Sequence, residues 1–200
     1  MENYQKKLDR ELETLGGRKP GLLLHSCCGP CSTYVLEYLS RYFELGLLYY
    51  DPNIQPEVEY ELRLENQRAV LERFPGVRLH EYGWRGADYE AVVRGLDSEP
   101  EGGARCTVCF RLRLEETARL AKELGYEYFC TTLSVSPHKD AERINRIGAE
   151  LAEKYSVKWL PSDFKKREGY KRSIELSREY GLYRQEYCGC VFSLNGGSNE

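Results

Sequence analysis

The chain reads as an α/β protein, a mostly parallel sheet flanked by helices. Three observations predict this. Short apolar runs alternate with longer stretches of helical periodicity along most of the sequence. Strands spaced by helices imply right-handed crossovers, and so parallel neighbours. A cysteine-rich turn comes directly after the first apolar run, and open α/β sheets place their chemistry beyond the carboxyl ends of their strands.

Residues 1–20 are a charged, helix-like N-terminal extension. Residues 21–25 form a short buried strand. Residues 30–42 read as a helix, with Pro30 suited to its first turn. Residues 45–50 are a second strand, ended by the turn residues Asp51-Pro52-Asn53. A long amphipathic helix covers 57–74, a third strand 77–82 and a short helix 89–95. Residues 97–105 are a polar Gly/Pro loop. Helix resumes over 106–124 and stops at Gly125, a usual C-cap residue. Residues 128–133 and 157–160 are strands on either side of a helix over 141–155. A last helix over 173–180 leads into a cysteine-bearing tail. These runs assign a single catalytic domain to 21–193 and a flexible tail to 194–200.

Composition narrows the function. With 41% hydrophobic and 30% charged residues, the 200-residue chain is of ordinary globular make-up. No apolar run is long enough to span a membrane. The first residues lack the apolar core of a signal peptide, so the expected compartment is the cytoplasm, with no membrane partner. Structural disulfides are rare there, and the eight cysteines call for metal or redox chemistry. The net charge of −3 excludes a globally basic surface, so a nucleic-acid partner needs a local patch. Phe164-Lys165-Lys166-Arg167-Glu168-Gly169-Tyr170-Lys171-Arg172 offers one, with a solvated helix start as the plain alternative.

Seven cysteines fall into motifs: Cys27-Cys28-x-x-Cys31, Cys106-x-x-Cys109 and Cys188-x-Cys190. Cys130 stands alone in a strand and reads as a small core residue. Zinc needs only four ligands, and a four-cysteine zinc ribbon would leave three of the seven idle. Adjacent cysteines also bind separate irons of a cube more easily than one small ion. A thioredoxin-like Cys28-x-x-Cys31 leaves Cys106 and Cys109 unexplained. An iron–sulfur cluster on Cys27, Cys28, Cys106 and Cys109 uses the set best, and helix starts at Cys28 and Cys106 favour thiolates. Cys31, Cys188 and Cys190 remain for a second metal or a redox pair.

The motifs carry a resemblance. Leu24-His25-Ser26-Cys27-Cys28-Gly29-Pro30-Cys31-Ser32 resembles the opening motif of the QueH family of epoxyqueuosine reductases. So do Asp51-Pro52-Asn53-Ile54-Gln55-Pro56, Glu99-Pro100-Glu101-Gly102-Gly103-Ala104-Arg105-Cys106 and Thr131-Thr132-Leu133-Ser134-Val135-Ser136-Pro137-His138-Lys139. Asp163-Phe164-Lys165-Lys166 and Gln185-Glu186-Tyr187-Cys188-Gly189-Cys190 complete six motifs in order, from about residue 21 to 193. The resemblance implies a fold similar to the HUP, or adenine nucleotide α-hydrolase-like, group. It implies cobalamin-independent removal of the epoxide oxygen of epoxyqueuosine in tRNA to give queuosine. It also implies a [4Fe–4S] cluster with a second mononuclear iron, or a redox-active cysteine pair, beside it. An unidentified low-potential electron donor must supply electrons.

Within that expectation Cys188 and Cys190 are catalytic candidates. The leaving oxygen needs a general acid, for which His25, His138 and Asp163 are candidates, with Asp163 preferred. Lys165, Lys166, Lys171 and Arg172 are candidates for tRNA phosphates, and Tyr170 for stacking on a base. Two rivals stand: a tRNA thiolase, and a zinc-stabilised RNA-binding module. The thiolase would need a Ser-Gly-Gly-x-Asp-Ser phosphate loop where His25-Ser26-Cys27-Cys28-Gly29 stands.

Overall fold

The computed structural model describes residues 2–195. Five strands, β1 (Gly21–His25), β2 (Glu44–Tyr49), β3 (Arg78–Glu81), β4 (Tyr128–Thr131) and β5 (Lys158–Trp159), form one sheet in the order β3-β2-β1-β4-β5. Every pairing is parallel, with Leu24 opposite Leu47 on one side and Cys130 on the other.

The central strands are apolar without interruption because both faces are covered. Alternation then divides each strand between two cores. Leu22 and Leu24, Leu45, Leu47 and Tyr49, and Tyr128 and Cys130 enter the core under α1 (Tyr4–Thr14), α2 (Gly29–Leu39), α3 (Glu57–Leu71) and α7 (Gly169–Glu179). Leu23, Leu48, Tyr50 and Phe129 enter the other, under α5 (Ala104–Leu124) and α6 (Ala141–Tyr155). Cys130 is fully buried, as its lone place in a strand predicts.

Local chemistry sets the helix ends. Asn3 and Asp140 accept the backbone N–H groups of Lys6 and Arg143, the usual work of N-cap side chains. Gly125 ends α5 with φ of 77°, a conformation open to glycine at little cost.

Several element bounds shift by up to three residues, as in α2, α3 and the short helix before α5, and three elements differ further from the sequence expectation. The fourth strand stops at Thr131, and Leu133–Val135 is a 3-10 turn that carries the chain over the sheet edge. The last long helix begins at Gly169 rather than 173, and only glycine fits this start, since a Cβ there would meet the Phe164 carbonyl and Tyr34. The tail holds a short helix, α8 (Val191–Asn195), so Leu194 belongs to an element rather than to a free tail. Residues 196–200 lie outside the described residues. α4 (Gly86–Val93) precedes α5.

Candidate active site

The chain runs outward from β1 through β2 to β3, then returns to lay β4 on the other side of β1. That reversal is a topological switch point, where α/β sheets bind ligands. Cys27 lies just past β1 there, and Thr132 just past β4. The Cys27 N–H donates to Thr132 Oγ1 at 3.0 Å, and the same hydroxyl donates to Cys27 Sγ at 3.3 Å.

Cys28 is the N-cap of α2 and Cys31 sits in its first turn, with Pro30 supplying helical φ. The three sulfurs of Cys27, Cys28 and Cys31 lie within 4.8 Å of one another. Hydrogen bonds from Cys27 and Cys31 hold Cys28 well below the ordinary thiol range, and hydrogen bonds to Cys27 and Cys28 push Cys31 well above it. The triad therefore concentrates thiolate character on Cys28, at a helix N-terminus that favours it.

Behind the triad lies a charged network that sequence reasoning did not single out. Arg113 is buried on the inner face of α5. It is ion-paired with Asp51, donates through Nε to His25 Nε2 at 3.3 Å, and lies 4.0 Å from Cys109 Sγ. His25 Nδ1 meets Thr131 Oγ1 at 2.8 Å. His25 Nε2 also lies 3.3 Å from the Tyr50 carbonyl oxygen. His25 is thus a fully enclosed strut rather than an exposed proton donor. A buried arginine needs such partners, and the signal for it was its i+4 spacing from Cys109.

The second pair opens α5. Cys106 occupies the third helical position and accepts the Gly102 N–H at 3.2 Å. Cys109 is one turn on and buried, and burial pushes its thiol up to about 12. It packs with Tyr89, Val93 and Cys190. The tail brings Cys190 there by docking on the loop after β2, with Gln55 N–H donating to Gly189 O at 2.8 Å. Arg63 on α3 donates to the carbonyls of Cys188 and Tyr187 at 3.3 and 3.4 Å. Cys188 turns the other way, and Lys139 Nζ donates to its sulfur at 3.0 Å. Burial works against the Lys139 charge, but Cys188 and Glu101 more than offset it, so the ammonium is held above its usual range.

A cavity of about 590 Å³ opens over this assembly, lined by Cys27, Cys31, Cys188, Arg113, Lys139 and Tyr170 among others. His138 also lines it, whereas Asp163 does not. Asp163 is nearly buried and ion-paired with Lys165 at 2.7 Å. The basic run is largely spent on internal partners. Arg172 forks onto Glu37 at 3.1 and 2.8 Å, Arg167 meets Asp9 at 2.6 Å and Lys171 faces Glu168 at 3.7 Å. Lys166 alone of the run has no carboxylate within 4.0 Å among the described residues. A cavity of about 610 Å³ at the amino ends of β4 and β5 contains no cysteine.

All eight cysteines are free thiols. Cys27, Cys28 and Cys31 form the close thiol group at the switch point, Cys188 lines the same cavity, Cys109 packs with Cys190, and Cys106 lies one turn before Cys109; two motifs sit on helix N-termini. This soft sulfur donor set fits an iron–sulfur cluster. Fold and site together define an α/β enzyme with a cysteine-lined centre at its switch point. The family model for epoxyqueuosine reductase QueH matches residues 22–196. The Staphylococcus epidermidis epoxyqueuosine reductase QueH is 44% identical over 200 residues, covering 96% of this chain and 84% of that protein. The Streptococcus pyogenes serotype M1 protein of the same name is 44% identical over 180 residues, 88% of this chain and 71% of its own. The Thermotoga maritima one is 39% identical over 175 residues, 86% and 90%. The chain belongs to the epoxyqueuosine reductase QueH family, and its activity is epoxyqueuosine reduction. In fold it is similar to the U34-tRNA thiolase NcsA from Methanococcus maripaludis, solved with its [4Fe–4S] cluster. The TM-score is 0.51 at 14% identity, covering 95% of this chain and 68% of that one. This likeness bears out the HUP-type architecture and speaks to fold alone.

Proposed function

We propose that the chain acts on epoxyqueuosine carried by tRNA, in the cavity over the cysteine triad, with a [4Fe–4S] cluster held by Cys27, Cys28, Cys106 and Cys109. The carrying observation is the cysteine triad at the switch point, with Cys188 lining the same cavity and Cys109 beside Arg113, in a chain of this family. When bound, the cluster supplies electrons one at a time, and the reaction takes two electrons and two protons, releasing the epoxide oxygen as water. The electrons come from a low-potential donor.

The chain's own residues do the rest. Lys139 presents a hydrogen-bond donor to the cavity beside Cys188. Cys31, Cys188 and Cys190 form a second thiol set, for a mononuclear iron or a dithiol/disulfide cycle. His138 borders the cavity and Asp163 stands behind Lys165. Tyr170 lines the cavity, where a ring can stack on a nucleobase. Lys165 and Lys166 before α7, and Lys171 and Arg172 in its first turn, are the candidates for phosphates. Residues 21–193 act as one catalytic unit, with Leu8 and Leu15 of the N-terminal extension buried in its core. Free thiols throughout suit the reducing cytoplasm, and no helix of the described residues is long and apolar enough to cross a membrane.

The test is anaerobic incubation of reduced protein with tRNA bearing epoxyqueuosine, without cobalamin, with mass spectrometry of the nucleosides. Loss of one oxygen is expected. A gain of sulfur would replace this reading with thiolation. A colourless protein with stoichiometric zinc would replace it with an RNA-binding module.

A further inference from the structure

Cys106, Cys109 and Arg113 follow one another along α5 at the spacing of a single helix stripe. Long side chains on a helix lean back toward its N-terminus, and the Arg113 guanidinium does so over the turn that carries Cys109. Its Nη1 lies 4.0 Å from Cys109 Sγ, and Arg113 lines the reaction cavity together with Cys27 and Cys188. The side chain is 2% exposed. Burial works against its charge, but Asp51 and then Cys109, Cys27 and Cys188 more than offset it, so the group stays a cation.

The other nitrogen of the fork is tied to an equally buried acid. Asp51, in the turn after β2, is 1% exposed. Its Oδ1 takes Arg113 Nη2, and its Oδ2 has no hydrogen-bond partner. His25 Nε2 stands 3.3 Å from Arg113 Nε and 3.6 Å from Asp51 Oδ1. Three segments thus fix an ion pair away from water, and its positive member is the one beside sulfur.

We propose that Arg113 sets the reduction potential of the cysteine-held cluster: its cation raises the potential, and Asp51 limits the rise. Cluster potentials depend on net charge, on groups at the sulfurs and on solvent exposure. Four thiolates already place negative charge in a buried site, and reduction adds one more. That charge is costly there unless a cation lies close. In the step concerned, one electron passes from the low-potential donor to the cluster; no bond forms or breaks and no proton moves. The inference rests on the ligand set proposed above. Arg113 and Asp51 are positioning residues that act through the cluster.

The experiment is an anaerobic redox titration of the reconstituted holoenzyme, read by visible absorption and electron paramagnetic resonance. Asp51→Asn keeps the side-chain shape and removes the negative charge, so its potential should lie above the wild type. The Arg113→Gln, Asp51→Asn double variant removes both charges and strands no buried carboxylate. Its potential should lie below the wild type. The two variants should differ by at least a tenfold change in the electron equilibrium, about 59 mV for one electron. Arg111→Gln removes a charge from the partly exposed side of the same helix, where Arg111 pairs with Glu150, and should leave the potential unchanged. A general loosening of the site would move both Asp51 variants in the same direction. Such parallel shifts, or wild-type potentials in both, would overturn the inference. If the double variant does not fold, the Asp51→Asn shift decides alone, and a fall or no shift counts against Arg113. Wild-type protein that takes up no iron and sulfide would sink the ligand set and this inference together. The potential is read without substrate, so failure of the wild type to reduce epoxyqueuosine would sink the reductase reading and leave this result standing.

Discussion

Cys130 and Cys109 show how one residue type takes two uses. Burial pushes each thiol from its ordinary 9.0 to about 12. Cys130 faces Leu160 O and Ser162 Oγ inside the core, outside the cavity lining. Cys109 lies beside Arg113 and Cys190, next to the other motif thiols. The difference was legible in the sequence, because Cys130 has no cysteine at a motif spacing. The Cys130 pKa is raised in the fold, so its contribution to stability is complete below pH 9 and is lost as pH rises toward 12. Each pH unit in that window costs about 1.4 kcal/mol for one such thiol. Chemical denaturation across pH 8–11 should therefore show a shallower alkaline decline for Cys130→Ala than for the wild type. Parallel curves would remove Cys130 as the source. Cys106 makes the opposite prediction. Cys106→Ser should stay folded, since its sulfur accepts only one backbone N–H, yet it should lose most iron and acid-labile sulfide on anaerobic reconstitution. Full cluster content in this variant would remove Cys106 from the ligand set. Apart from the i+4 spacing of Arg113 from Cys109, Arg113 and Lys139 were not legible in the same way. Their importance comes from burial beside sulfur, and a lone basic residue in a helix or loop looks the same whether it faces water or a thiol.

At the level of elements, the basic run marks where sequence reading and structure part. Five basic residues among two aromatics read as one patch. The early start of α7 and the left-handed Arg167 and Glu168, with φ of 51° and 61°, turn the side chains in different directions. Most then meet acids from distant parts of the chain, Asp9 and Glu37 among them. Those partners are invisible in a local window. The charge-reversal experiment consequently splits. Lys166→Glu should weaken tRNA binding and reduce its salt dependence by about one counterion's worth, with thermal stability unchanged. Arg172→Glu should instead set one acid against both Glu37 and Glu175 and lower stability by about 0.5–1 kcal/mol. If Lys166→Glu leaves both affinity and salt slope at wild-type values, the run is a solvated, self-paired face. Strands were more legible than this run because their signal, an apolar stretch between helical patterns, is local. The boundaries that moved, at Thr131 and Gly169, are set by contacts across the fold, with Ser134 accepting the Lys165 N–H at 3.1 Å.

Across the whole molecule, the site is assembled from segments more than 150 residues apart. β1 and α2 bring Cys27, Cys28 and Cys31, α5 brings Cys106 and Cys109, and the tail brings Cys188 and Cys190. The sheet order was only implied by the alternation of elements, whereas the meeting of the three motifs depends on it. β1 lies at the centre, and the segments leaving β1 and β4 face the same opening. The tail docks through Gly189, whose φ of 117° and contact with Ile54 leave no room for a side chain. This permits a test of whether Cys188 and Cys190 act in turnover or only fill space. The Cys188→Ser, Cys190→Ser double variant keeps the tail backbone, its Gln55 and Arg63 contacts and the four proposed cluster ligands. It should purify with a wild-type visible spectrum and bind tRNA normally, yet lose epoxide reduction by at least a hundredfold. Gly189→Ala displaces the whole segment and should reduce activity and thermal stability together, which separates loss of the thiols from loss of docking. Near-normal turnover by the double variant would show the pair to be packing residues. A bleached spectrum would place at least one of them among the cluster ligands, and Cys31 would then be the first residue to test as the thiol released in exchange.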